Sequence, residues 1–189
     1  MRHKYDTRGI VLSRSPIGES SSFVTLLTPE LGLVRALAQS VRKSNAKLAS
    51  SLVTFAESSV VLVRGRDGWR IAGAVLEENW FARVTRARAR EAAVRVSGLL
   101  LRLVAGEAQE AELFPIMRGF LEALATLPQS EDESLEALAA LRVLAALGLD
   151  AGEIPGEKSA FTPTVLDTIK HGRADYIARI NRGIEASGL

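Results

Sequence analysis

The chain has 189 residues, 47% of them hydrophobic, with no cysteine and a formal net charge of +2. This length and hydrophobicity allow one large or two small globular domains, whereas the lack of cysteine excludes disulfides, thiol nucleophiles and cysteine zinc sites. We find no apolar run of membrane-spanning length and no secretory signal in the first residues, so we expect a cytoplasmic protein without membrane association.

Charge is distributed unevenly along the chain. Residues 1–90 hold 15 Lys and Arg against 7 Asp and Glu, whereas residues 91–189 hold 9 against 15. A basic half joined to an acidic half is typical of a protein whose first half meets a polyanion. A solvated surface on which charges happen to segregate explains the composition equally well.

Alternating hydrophobicity predicts five strands before residue 77. They cover Tyr5–Arg14, Ser21–Leu27, Leu33–Ser40, Ser58–Arg64 and Trp69–Leu76. Pro29 and Gly32 indicate a turn between the second and third strands, and residues 65–68 indicate a hairpin between the last two. Five short strands in this order predict a small barrel, most commonly an OB-fold, although strand count alone does not separate it from an SH3-like barrel.

The periodicity changes to that of helices from about Trp80 onward. Predicted helices cover Ala82–Ala105, Ala111–Leu127, a segment from Ser130 to just before Gly148, a short segment from Pro163 to His171, and Ala174–Ala186. Ser130 and Glu133 fit a capping box, and Thr162 before Pro163 is typical of a helix start. The predicted fold class is therefore β plus α: a five-stranded OB-fold barrel in residues 1–79 followed by an α-helical bundle in residues 80–189.

No constellation of residues indicates catalysis. His3 and His171 lie far apart in sequence, and the acidic cluster at residues 131–133 falls in a first helical turn, where carboxylates are favoured electrostatically. Neither a phosphate-binding P-loop nor a GxSxG motif is present. We predict a protein that is not an enzyme and uses neither a cofactor nor a metal.

Basic residues are the candidates for a binding surface. If the barrel closes, one side can gather Arg14, Arg35, Arg42, Lys43, Lys47, Arg64, Arg66 and Arg70. OB-folds bind single strands in basic grooves, where aromatic side chains stack on the bases. Trp69, next to a hairpin tip, is equally compatible with base stacking and with the core, whereas Phe23 is better placed in the core. No recognition helix or finger motif indicates sequence-specific readout.

Four blocks of the first half resemble the N-terminal domain of the RecO family of bacterial DNA-repair mediators: Gly9–Leu12, Gly18–Ser20, Val24–Ala36 and Ser40–Lys43. The resemblance covers about residues 5–77, and the helical remainder is compatible with the family's second domain without identifying it. It implies an OB-fold, binding of single- and double-stranded DNA, strand annealing, and RecA loading onto DNA coated with single-strand-binding protein in the RecF pathway. The implied partners are RecR and the C-terminal tail of the single-strand-binding protein, at a cytoplasmic, nucleoid-associated location.

Arg35, Arg42 and Lys43 match the family's motif, which implies that they lie on its DNA-binding face. The other five basic candidates depend on charge and position alone. Many RecO proteins carry a four-cysteine zinc site in the helical domain, which this chain lacks, so either residues 152–161 form a short loop in place of that module or the second half has diverged. A protein-interaction scaffold and an OB-fold RNA-binding protein remain as alternatives.

Overall fold

The computed structural model describes residues 3–39, 48–104, 106–107 and 110–188. The chain forms two compact units. The barrel unit comprises Met1–Ala82 together with Gly106–Ala111, and the helical unit comprises Arg83–Ala105 together with Glu112–Leu189. The return of a short segment after residue 105 to the barrel unit has no counterpart in the sequence patterns.

Five strands form the barrel unit: β1 His3–Ile17, β2 Ser21–Thr28, β3 Gly32–Ala38, β4 Ala56–Gly65 and β5 Gly68–Asn79. They close in the order β1-β2-β3-β5-β4, and β1 pairs antiparallel with β4 to complete the barrel. All neighbours are antiparallel except β3 and β5, which pair in parallel through a short contact. The predicted five-stranded, OB-fold-like barrel is thus confirmed.

Strand β1 bridges the barrel because it pairs with two neighbours in succession. Its first part pairs with β4 and its second part with β2, with a bulge between Val11 and Ser13. A bulge bends a strand and increases its twist, which suits a strand that must turn from one side of a barrel to the other. Val11, Val24, Leu26 and Leu62 fill the interior.

The turn between β2 and β3 forms as its residue types predict. Gly32 has a φ of 66°, a region that glycine enters without a steric penalty. The Thr28 hydroxyl donates to the Gly32 carbonyl at 3.0 Å and accepts from the Leu31 amide at 3.1 Å. Local chemistry therefore sets the register of this hairpin.

Helices follow the last strand: α1 Trp80–Arg83, α2 Ala87–Leu103, α3 Leu113–Thr126, α4 Asp132–Ala146, α5 Pro163–His171 and α6 Arg173–Ala186. Helix α4 is central to the helical unit, where it packs against α2, α3, α5 and α6. Its predicted apolar stripe is confirmed, because Leu135, Leu138, Leu141 and Leu144 are fully buried. Within the described part of the chain, no helix has both the length and the apolarity needed to cross a bilayer.

Two details of the predicted helices are wrong. The continuous helix over Ala82–Ala105 is interrupted at residues 84–86, where Arg86 has extended backbone and donates to Asp132 at 2.7 Å and to the Leu124 carbonyl. The capping box is absent: a 3-10 turn, Gln129–Glu131, precedes α4, and its Gln129 carbonyl accepts from the Asp132 amide. The predicted cap at Thr162 is confirmed, since its hydroxyl accepts from the Val165 amide.

Arginines fix the loop between α4 and α5. Arg142 of α4 donates to the Ala160 carbonyl at 2.9 Å and lies over the Phe161 ring, while Arg179 of α6 pairs with Asp150 and donates to the Glu153 carbonyl. Guanidinium contacts therefore order this segment.

Among the described residues, no group of three or more His, Asp or Glu side chains is arranged to hold a metal.

Candidate nucleic-acid interface

A row of basic and apolar side chains crosses the outer face of the barrel. The register pairs Lys4 with Val63, Val63 with Arg70, Arg70 with Leu37, and Leu37 with Phe23. Paired residues share one face of a sheet, so these five side chains point outward together. Lys4 and Arg70 are exposed, whereas the three apolar members are half-buried. We call these five residues the basic row.

Arg35 lies beside this row and covers one of its members. It pairs with Thr25, two residues from Phe23 along β2, and its guanidinium carbon lies 4.2 Å from the centroid of the Phe23 ring. Placing Phe23 in the core is therefore wrong, because the inward positions of β2 are those of Val24 and Leu26. The exposed Arg35 has no ion-pair partner among residues that the structure describes.

The β4–β5 hairpin adds further cations next to the basic row. Arg64, Arg66 and Arg70 line a cleft of about 770 Å³ together with His3. Asp67 also lines this cleft, so its cationic character comes from three arginines against one carboxylate. Neither Arg66 nor Arg70 is ion-paired within the described ranges. The structure thus brings together Arg35, Arg66 and Arg70 near the basic row.

Arg64 is different because its charge is already paired. It donates to Glu107 at 2.6 Å, and the second oxygen of that carboxylate accepts from the Trp69 indole at 2.8 Å. The pKa of Glu107 is lowered from its ordinary value, chiefly by the Trp69 hydrogen bond and then by Arg64. At neutral pH, the negative charge of Glu107 therefore offsets the positive charge of Arg64.

Of the two readings left open for Trp69, base stacking and the core, the structure places the side chain in the barrel core. The side chain is only 6% exposed and belongs to the barrel core, its indole is bonded to Glu107, and Tyr5 packs edge-on against its ring at 5.1 Å. The alternation of β5 explains this placement, since Trp69 and Ile71 occupy successive inward positions. Counting that alternation from Ile71 would have placed Trp69 inside.

The remaining basic candidates do not join this surface in the described structure. Arg14 is half-buried and pairs with the interior residue Val24, because the bulge after Val11 shifts the alternation of β1. Its side chain therefore leaves the sheet on the face opposite to Arg35. The candidates Arg42, Lys43 and Lys47 lie outside the described residues.

These features define a class of protein: an OB-fold-like barrel with an exposed cationic face, followed by a helical unit. Comparison with known proteins agrees with it. Residues 1–78 match the family model described as recombination protein O N terminal. This match and the relatives described next show together that the chain belongs to the RecO family.

Individual relatives extend the similarity beyond the barrel. The chain is 30% identical over 129 residues to a DNA repair protein RecO of Dehalococcoides mccartyi, covering 68% of this chain and 51% of the relative. It is 33% identical over 135 residues to that of Gloeobacter violaceus, covering 67% and 49%. A third, from a Nostoc species, is 29% identical over 155 residues, covering 82% and 52%. The chain thus spans about half the length of the curated relatives that it matches.

Proposed function

We propose that this chain is a non-catalytic, DNA-binding recombination mediator that acts in DNA repair through the RecF pathway. It would bind single- and double-stranded DNA, promote strand annealing, and help to load RecA onto DNA coated with single-strand-binding protein. Its protein partners would be RecR and the C-terminal tail of the single-strand-binding protein. The observation that carries the proposal is the convergence of Arg35, Arg66 and Arg70 on the outer face of an OB-fold-like barrel.

The chemistry of this face suits backbone binding. Unpaired guanidinium groups bind phosphate oxygens strongly and release condensed counterions, so the affinity for DNA falls with rising salt. Because Trp69 is buried, most bases of a bound strand would remain free of protein stacking. A strand with a neutralised backbone and accessible bases can pair with its complement, which is what annealing requires.

The first test measures single-strand binding by fluorescence anisotropy. A labelled strand of about 30 nucleotides is titrated with the whole chain at several salt concentrations, and the log–log salt slope is determined. Replacing Arg35, Arg66 and Arg70 together by Ala should flatten that slope by about 2, since each phosphate contact contributes about 0.7. The matched control replaces Arg88, Arg102 and Arg182, three exposed arginines of the helical unit, and should leave the slope nearly unchanged.

A second variant carries Ala at Arg42 and Lys43, the two residues of the family motif outside the described ranges. It should weaken binding and flatten the slope in the same way if these residues lie on the DNA-binding face. Absence of binding by the unmodified chain at low salt would contradict the proposal and favour a protein-interaction scaffold. A clear preference for RNA that depends on the 2′-hydroxyl would favour an RNA-binding protein instead.

Annealing and loading need separate assays. Pairing of two labelled complementary strands, followed by energy transfer, should be accelerated by the chain and slowed in the Arg35, Arg66 and Arg70 variant. RecA filament growth on strands coated with single-strand-binding protein tests loading, with and without RecR. Normal DNA binding without either activity would reduce the proposal to a DNA-binding protein.

A further inference from the structure

We propose that Arg35, seated on Phe23, is a stacking platform for one unpaired nucleobase. This inference rests on the proposed nucleic-acid binding and assigns a second kind of contact to the same surface. The bound class is a single-stranded nucleobase of any sequence, in contact with the guanidinium face turned away from the ring.

The contact between Arg35 and Phe23 holds the guanidinium in place. Its central carbon lies 4.2 Å from the ring centroid, within the range in which an aromatic face attracts a cation. Phe23 is itself half-buried and pairs across the sheet with Leu37, so the ring is held by the barrel. A guanidinium positioned in this way loses less side-chain entropy when a ligand binds than a freely rotating one.

The remaining donors of Arg35 are available to a ligand. The side chain is exposed, and no carboxylate or carbonyl among the described residues accepts its N–H groups. A planar guanidinium with one face on an aromatic ring still presents its other face and its N–H edge. Bases stack on such planes in single-stranded nucleic acids, while the edge can bond a neighbouring phosphate or base oxygen.

The other arginines of this surface lack one or other of these properties. Arg64 lies 5.0 Å from the Trp69 ring, but its N–H edge is bonded to Glu107. Arg66 and Arg70 have no aromatic ring beneath them in the part of the chain that is described, so they act as charges. Within the described barrel, Arg35 thus combines a ring support with open donors.

A stacking platform predicts discrimination between single and double strands. Bases within a duplex are already stacked and cannot reach a guanidinium face, whereas an unpaired base can turn onto it. Phosphate contacts by Arg66 and Arg70 operate on both forms. Arg35 should therefore contribute selectively to the affinity for single strands.

The test separates the plane of Arg35 from its charge. Arg35→Lys keeps the charge and removes the planar group, and Arg182→Lys, at an exposed arginine of the helical unit, is the matched control. Affinities for a single strand and a duplex are measured together with the fluorescence of a 2-aminopurine placed in the single strand. We expect Arg35→Lys to weaken single-strand binding by at least about fivefold, the lower limit for loss of one stacked base. Arg35→Lys should leave the salt slope and the duplex affinity unchanged, and it should abolish the change in 2-aminopurine fluorescence that accompanies single-strand binding. Arg182→Lys should bind both DNA forms as the unmodified chain does.

Phe23→Leu tests the platform by removing the ring that supports Arg35. It keeps an apolar side chain at this position and removes the ring on which Arg35 lies, so it should reproduce the single-strand defect of Arg35→Lys. Single-strand binding by Arg35→Lys equal to that of the unmodified chain would overturn the platform while leaving the proposed DNA binding intact. Absence of DNA binding by the unmodified chain would overturn both, so the two failures are distinguishable.

Discussion

Arginine has opposite roles in the two units of this molecule. In the helical unit, Arg86, Arg142 and Arg179 bind carboxylates or backbone carbonyls and order the segments between helices. In the barrel unit, Arg35, Arg66 and Arg70 are exposed and lack ion-pair partners within the described ranges, and Arg35 lies over the Phe23 ring. The comparison shows that partners and desolvation, rather than residue type, determine whether an arginine stabilises the fold or remains available to a ligand.

The same comparison corrects the meaning of the charge asymmetry. The barrel unit holds 11 Lys and Arg and 9 Asp and Glu once Gly106–Ala111 is included. Its net charge is therefore small, and several arginines of the basic first half belong to the helical unit. Local placement of unpaired cations, rather than net charge, makes the barrel face a candidate for polyanion binding.

The largest effect is expected for the buried ion pair of the helical unit. Asp132→Ala leaves Arg86 without its carboxylate, and because Asp132 is buried we expect a loss of about 3 kcal/mol in the free energy of unfolding. Glu136→Ala breaks the more exposed pair with Arg95 and should cost less than about 1 kcal/mol. Urea denaturation of both variants measures the two losses in the free energy of unfolding. Equal losses would show that burial does not distinguish the two pairs.

Variants of Arg142 test how a buried charge affects the stability of the helical unit. Among the described atoms its Nε and Nη1 have no hydrogen-bond partner, and burial lowers its pKa to about 10. Arg142→Met removes the desolvated charge and keeps most of the volume, so it should cost less than about 1.5 kcal/mol, against about 2–4 for Arg142→Ala. Chemical denaturation at neutral pH compares the two.

The lowered pKa of Arg142 also predicts a pH dependence with a definite sign. Between about pH 10 and the ordinary arginine pKa of 12.5, the unfolded chain binds more protons at this residue than the folded chain. The stability of the unmodified chain should therefore rise relative to that of Arg142→Met as the pH exceeds about 10. A constant difference between the two melting temperatures from pH 8 to pH 11 would contradict this account.

A smaller effect is expected within the barrel, where Arg64 and Arg70 should differ although they lie on one hairpin. Arg70→Ala should lower the single-strand salt slope by about 0.7, the contribution of one phosphate. Arg64→Ala should change it by much less, because Glu107 already neutralises Arg64. Anisotropy titrations at several salt concentrations measure both slopes. Equal slopes for the two variants would mean that DNA displaces Glu107 from Arg64.

The smallest effect concerns the pH response of that same contact. The pKa of Glu107 is lowered in the folded chain, so the contact is present at pH values above the ordinary value of 4.5 and is lost as the pH falls through the lowered pKa. Fluorine NMR of chain labelled with 5-fluorotryptophan should show one of the two tryptophan signals shifting below pH 4.5. Glu107→Gln should abolish that shift, and persistence of the shift would assign it to another group.

Local patterns in the sequence were sufficient for much of the architecture. Alternation and turn chemistry predicted five strands and their hairpins, and 3.6-residue periodicity predicted the main helices and the buried leucines of α4. The hydroxyl of Thr162 and the glycine at position 32 act on residues within one turn, so their effects are visible in a short window. The basic residues at 35, 66 and 70 were likewise among the eight basic candidates that the sequence indicated.

Long-range contacts determined the rest. The break before α2 depends on the contact between Arg86 and Asp132. The hydrogen bonds that Arg64 and Trp69 donate depend on Glu107, which is distant in sequence. Phe23 and Trp69 are both aromatic residues in strands, yet register places one outside under an arginine and the other in the core. Hydrophobic periodicity reports which face of an element is apolar, but it carries no information about the distant partner that a side chain meets. That partner arises only when the barrel closes and the helices pack.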